Sequence, residues 1–222
     1  MKNRHVLQII LGVLVLSLTL GAQQQRKPAP VMTWQGADWL VRPERIKEER
    51  PDEMLAALDI RPGSVVADVG AGVGYHVVRL AGIVGPAGRV IANDIQPEML
   101  EMLGDNVKRM GLTNVDVVLG DVDDPKLPEG KVDLVLMVDV YHEFSDPAAM
   151  MTKIKKALKP GGRVVLVEFR KEDPKVPIQP LHKMSAPEVR AELEPLGFRF
   201  QKLLDFLPWQ HILIFTAGAA QQ

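Results

Sequence analysis

The chain has 222 residues, 46% hydrophobic and 25% charged, which suits one globular domain with appendages. A net charge of −1 offers no single-sign field of the kind a nucleic-acid surface needs. The lack of cysteine excludes disulfides, a thiol nucleophile and cysteine-based zinc sites. The first predicted element stands apart from the rest. Met1 to Arg4 is a basic start, Val6 to Leu20 is an apolar run, and Gly21 and Ala22 lead into Gln23, Gln24 and Gln25. This pattern reads as a signal peptide over residues 1–22, cut after Ala22. If uncleaved, it would anchor the domain on the outer face of a membrane. Either way an exported location is expected; a start at Met32 would instead leave the protein cytoplasmic.

Residues 23–33, rich in Gln, Pro and Lys, read as a linker, residues 34–217 as the domain and residues 218–222 as a tail. Helical material is expected from Trp34 to Leu58. Strand one is Val65 to Val69, followed by a helix carrying Val77, Leu80, Ala81 and Val84 on one face. Strand two is Arg89 to Asn93. Pro97 then opens a helix that buries Met99, Leu103, Val107 and Met110, with Gly111 at its end. Strand three is Val115 to Leu119, and strand four is Val132 to Val140, a nearly continuous apolar run that suits burial on both faces. Asp146-Pro147 starts the next helix, and Pro160-Gly161-Gly162 is expected to stop it before strand five, Arg163 to Glu168. Ser185 and Glu188 form a capping box, and two final strands span 198–206 and 210–216. Five alternating βα units and a terminal hairpin make an α/β fold.

The most informative stretch lies between the first two strands. Strand one ends in Asp68, glycines follow at 70, 72 and 74, and a second carboxylate, Asp94, comes twenty residues past Gly74. That is a nucleotide-type site at the carboxyl ends of parallel strands. No G-x-x-x-x-G-K-[ST] occurs, so a P-loop is excluded; a dinucleotide fingerprint needs a third small residue where Tyr75 stands, which disfavours the second rival, a nicotinamide-dependent oxidoreductase. Asp68 would repel a pyrophosphate but suits a ligand carrying an ammonium and a sulfonium. The run Asp68-Val-Gly-Ala-Gly-Val-Gly resembles motif I of the class I S-adenosylmethionine (SAM)-dependent methyltransferases. Asp94, Gly120-Asp121 and Leu158-Lys-Pro-Gly-Gly162 extend the likeness to about residues 50–216. The last motif is similar to that of the small-molecule branch, which includes ubiquinone/menaquinone C-methyltransferases and arsenite methyltransferases. The resemblance implies a Rossmann-like, doubly wound, seven-stranded, mostly parallel sheet ending in an antiparallel hairpin, with SAM as cofactor.

Carried over by position, Asp68 and the loop Gly70, Ala71, Gly72 and Gly74 would line the methionine part of SAM. Asp94 would hold the ribose, Ile95 would pack on the adenine, and Asp121 and Val122 would meet its edge. Asp139 would lie near the methionine moiety. The protein then has to align an acceptor and supply a base where the acceptor needs one. Tyr141, His142 and Glu143 after strand four are the candidates, with Arg170, Lys171, His182, His211 and Trp209 as outlying ones. No metal site is expected, because the acidic loop 121–124 has neither histidine nor a fixed ligand spacing. The strand-four loop lacks Asn-Pro-Pro-Tyr or Asp-Pro-Pro-Tyr, which argues against a DNA N-methylase. The expected activity is methyl transfer to a small-molecule acceptor. The rival is a non-catalytic SAM-binding or scaffold module in the exported compartment.

Overall fold

A computed structural model describes residues 26–218; the expected signal segment, residues 1–22, and the tail from 219 onward lie outside it. The alternation seen in the sequence becomes a single sheet in the order β3-β2-β1-β4-β5-β8-β7. Its strands are β1 (Val65–Val69), β2 (Arg89–Asp94), β3 (Val115–Leu119), β4 (Val132–Val138), β5 (Leu158–Arg170), β6 (Lys183–Met184), β7 (Phe198–Leu204) and β8 (Gln210–Ala217). β8 runs antiparallel to both its neighbours, and every other pairing is parallel.

Period-two burial splits the core into two layers. Val66, Leu134, Leu136, Val165 and Val167 face one side, with α3 (Pro51–Ala56), α4 (Val77–Val84) and α5 (Pro97–Arg109). Ala67, Val135, Met137, Val164 and Leu166 face the other, with α6 (Pro147–Ala157) and α7 (Ala186–Leu193). Two short helices, α1 (Ala37–Leu40) and α2 (Arg45–Glu49), precede this unit. On α4 the stripe Val77, Leu80, Ala81 and Val84 is buried as its spacing requires. Each large apolar side chain so buried contributes ~1.5–3 kcal/mol. The capping box of α7 forms, with Ser185 and Glu188 each accepting from the other's backbone N–H.

Four expectations need correction. Met110 is exposed, not buried, because α5 ends at Arg109 and Met110 is its C-cap, past the buried stripe. The sheet has eight strands, not seven, because Lys183–Met184 pairs with Phe169 and Arg170 of β5. β4 ends at Val138, not Val140, since Asp139 takes a left-handed backbone with φ 52°. Pro160-Gly161-Gly162 does not separate α6 from β5. Leu158 already pairs with Val132, and the register shift before Leu134↔Arg163 takes up the extra residues as a bulge.

The strand order reverses between β1 and β4, so a cleft opens beyond their carboxyl ends. The backbone comes close there. A Cβ on Gly70, whose φ is +76°, would lie 2.4 Å from Val140 Cγ2.

Candidate active site

The cleft is a cavity of about 480 Å³, within the range of small-ligand sites, ~300–1,000 Å³. At one end lies the β1–α4 loop. Gly70 and Ala71 both donate their N–H groups to the Asn93 carbonyl, which locks the turn against β2. Asp94, 7% exposed, accepts from Gly72 N at 2.9 Å through Oδ2 and from Gln96 N at 3.0 Å through Oδ1. Burial raises its pKa while these backbone donors oppose the rise. Gly70, Gly72, Asp94, Ile95 and Val122 line the cavity. Gly72 is tightly cradled, for a Cβ there would meet Leu40 Cδ1 at 2.9 Å.

Other expected cofactor residues sit elsewhere. Gly74 does not line the cavity; at φ +89° it lets Leu103 of α5 pack within 3.1 Å of where a Cβ would be. Asp68 and Ala71 border a smaller, adjoining hollow that shares Gly70, Gly72 and Arg45 with the cavity and also takes in His76. Burial pushes Asp68 up to about 7, with Arg45 opposing and Asp94 reinforcing the rise. Asp121 is exposed and pairs with Lys126 at 2.9 Å, off the cavity. Asp139 does line it. Its Oδ2 accepts from Gln210 Nε2 at 2.6 Å, while its buried Oδ1 has no partner. Burial, with the charges of Glu49 and Glu168, holds its pKa well above the carboxylate range.

A strained residue with an orphaned acceptor, beside a carboxylate already fixed by backbone donors, fits a ligand that brings an ammonium and a diol. By that test the residues suit SAM. The glycine cradle leaves its room, Asp94 would take the ribose, and Asp139 would face the ammonium end.

Elsewhere on the cavity wall, the three candidates after β4 are divided by a 3-10 turn, Tyr141–Glu143. His142 and Glu143 line the cavity. Tyr141 does not: its ring is fully buried in the layer under α6 and α7, and its hydroxyl donates to Glu192 Oε2 at 2.8 Å. His142 Nδ1 lies 2.6 Å from Glu168 Oε2, and Glu168 Oε1 accepts from Tyr141 N at 3.0 Å. The fully buried carboxylate of Glu168 therefore favours the Nδ1–H tautomer of His142 and turns the Nε2 lone pair toward His182. Burial disfavours the charged imidazole, but the Glu168 charge and hydrogen bond outweigh it, and the net shift is upward. Burial pushes Glu143 up to about 7, against the pull of His142.

His182 reaches the same place from a remote segment. β6 pairs along the stretch of β5 that β4 leaves free, and His182 just before it lies with Nδ1 3.1 Å from His142 Nε2. The remaining outliers are structural. The Arg170 guanidinium donates to the carbonyls of Leu207, Pro208 and Gln210, pinning the β7–β8 turn. Lys171 pairs with Glu188, and neither His211 nor Trp209 lines the cavity.

Sequence reasoning missed Glu168, Gln210 and the segment 26–33. One signal was available: Glu168 is a carboxylate directly after the apolar run from Val164 to Val167. The segment 26–33, linker-like in composition, lies along the domain. Ala29 N donates to the His142 carbonyl at 3.0 Å. Arg26 donates to the carbonyls of His142 and Tyr141, both at 2.7 Å, and to Glu192 at 2.9 Å. Val31 and Met32 thereby form part of the cavity wall.

Comparison with known proteins agrees with this geometry. A family model described as a methyltransferase domain matches residues 60–197. A solved SAM dependent methyltransferase from Aquifex aeolicus superimposes with a TM-score of 0.80 at 27% identity, over 84% of this chain and 100% of that one. A protein-L-isoaspartate O-methyltransferase of Methanothrix thermoacetophila is 34% identical over 51% of this chain and 51% of its own. A ubiquinone/menaquinone biosynthesis C-methyltransferase of Ectopseudomonas mendocina is 32% identical over 50% of this chain and 44% of its own. The chain spans about half or less of the length of these curated relatives. With a family model over more than half of the chain, and a cleft at the switch point that its motifs mark, the chain belongs to the class I SAM-dependent methyltransferase family.

Proposed function

We propose that the protein transfers a methyl group from SAM to a small-molecule acceptor seated at the His142 end of the cavity. The observation that carries this reading is continuity: one cavity joins Asp94 and the glycine loop to His142 and Glu143. SAM, when bound, supplies an electrophilic methyl on a sulfonium leaving group. Gly70, Gly72, Asp94 and Asp139 would hold it. Phe144, Met150, Phe169 and Ile178 give the acceptor an apolar wall that orders it and excludes water. His142, oriented by Glu168, carries the lone pair able to take an acceptor proton.

Two observations support a small acceptor over a macromolecular one. The cavity, bordered by Val31, Met32 and Trp39, has at about 480 Å³ the size of a small-ligand site, and His142, Glu143 and His182 form one compact polar cluster on it. The relative that acts on protein isoaspartate is the reason to test this directly. The full chain is titrated with SAM by calorimetry, then given methyl-labelled SAM with either a small-molecule cell extract or an isoaspartyl peptide. Micromolar SAM binding and label in the extract are expected. Label in the peptide alone would overturn the acceptor class, and folded protein that ignores SAM would favour the scaffold reading.

We also propose that the domain, residues 34–217, is exported or membrane-held through residues 1–22, on their basic, apolar and small-residue pattern. Cell fractionation with N-terminal sequencing tests this. Full-length, unprocessed protein in the cytosol would overturn it.

A further inference from the structure

The cluster at the acceptor end has a feature that proton transfer does not use. His142, Glu143 and His182 each place a ligand-type atom within 4.8 Å of the others. His142 Nε2 and His182 Nδ1 are 3.1 Å apart, close to the ~3.0–3.4 Å between two nitrogens that each sit 2.0–2.1 Å from one ion. Glu168, buried and bonded to His142 Nδ1, is the carboxylate behind an imidazole that metal-ligating histidines use to fix tautomer and raise basicity. Among the described residues, the Glu143 carboxylate accepts a long 3.4 Å hydrogen bond from Met32 N. A half-buried carboxylate beside two facing imidazoles is thus short of partners, and an ion would satisfy all three.

We propose that His142, His182 and Glu143 form a site for a divalent first-row transition-metal ion whose open coordination positions face the cavity. Two imidazoles and one carboxylate suit zinc, cobalt, iron or manganese better than magnesium or calcium, which favour all-oxygen sets. Three protein ligands leave room for an exogenous one, as in catalytic rather than structural sites. That ligand would be an acceptor bearing a hydroxyl, phenolic or enolic oxygen, and this part rests on the methyltransferase reading. With the ion bound, the His142 lone pair would be spent on the metal, and the ion would instead lower the acceptor's pKa so that its oxygen binds as the anion, its proton released to solvent before the methyl is transferred.

The test uses the full chain without a histidine tag, stripped by chelator and titrated with Co²⁺ alone, by calorimetry and visible absorption. One equivalent at micromolar or tighter affinity is expected, with a d–d spectrum of low coordination number. His182→Ala and Glu143→Gln should each weaken binding at least tenfold, and Glu168→Gln by ~10–100-fold through the imidazole it orients. Thermal unfolding of each variant checks that the fold survives. SAM is titrated separately. A folded, SAM-binding protein that takes up no Co²⁺, or one whose affinity is the same in His182→Ala and Glu143→Gln, overturns the metal site. Protein that binds Co²⁺ as expected but not SAM overturns the methyltransferase reading and leaves the metal site standing.

Discussion

Glu168→Gln is the most discriminating single change in the protein. In the wild type the Glu168 carboxylate accepts two hydrogen bonds in a fully buried position, from Tyr141 N at 3.0 Å and His142 Nδ1 at 2.6 Å. Glutamine can keep the first through its carbonyl. Its amide must donate on the other side, which forces His142 Nδ1 to accept and moves the imidazole proton to Nε2. The lone pair on the cavity side is then lost. Hydrogen bonds to a charged group are worth ~1.5–3 kcal/mol against ~0.5–1.5 for neutral ones, so the exchange should cost ~1–2 kcal/mol. For a domain of this size that lowers Tm by ~2–8 °C. The pH dependence has a definite sign. The folded pKa of His142 lies above its ordinary 6.5, so its ion pair stabilises the fold fully below that pH and is lost as pH rises through the folded value. The stability gap between wild type and variant should therefore be widest in acid and narrow on the alkaline side. In the variant, burial acts without the Glu168 charge, and the His142 pKa should fall. Nitrogen-15 NMR of labelled histidine reads both tautomer and pKa without an acceptor in hand. An unchanged Nδ1–H tautomer and an unchanged His142 titration in the variant would refute the assigned role of Glu168.

Other outcomes are equally open to measurement. Asp94→Ala should weaken SAM binding ~100-fold or more by calorimetry, because it removes a charged acceptor and also frees the Gly72 and Gln96 amides it holds. Gly70→Ala should destabilise the protein by ~2–5 kcal/mol in urea titration, from a left-handed backbone and the overlap with Val140. Asp68→Asn should stabilise at pH 8 and not at pH 4. The raised native pKa of about 7 makes the fold lose up to ~4 kcal/mol between the two, and the amide does not ionise. Arg26→Ala, which removes three side-chain hydrogen bonds, should speed amide exchange across residues 26–33; unchanged protection would mean that the segment is held by its apolar contacts instead.

Where the structure departs from the sequence reading, distance along the chain explains it. The β1 loop, Asp94, the α4 stripe and the Ser185 capping box are local signals, each complete within about 25 residues of chain, and the fold keeps them. The acceptor end is assembled from pieces that do not share a window. Glu168 is 26 residues from His142, His182 is 40, and Arg26 reaches Glu192 across 166. No periodicity links such pairs. Tyr141 shows the same limit at short range. It adjoins His142 in sequence, but a 3-10 turn sends neighbouring side chains to different surroundings, and its apolar ring went to the core. β6 was invisible because two residues carry no alternation to read.

That two-residue strand makes the acceptor end adjustable by loop length. The register of Lys183 and Met184 on β5 sets His182 opposite His142. One residue of slip moves a strand by ~3.3 Å, which exceeds the 3.1 Å separating the two imidazoles. Inserting or deleting one residue between Glu172 and Leu181 would uncouple the histidines and reshape the wall that Pro177, Ile178 and Gln179 give the cavity, while leaving the sequence of the glycine loop unchanged. Descendants of this chain could change acceptors through that connection while every motif at the glycine loop stayed as it is.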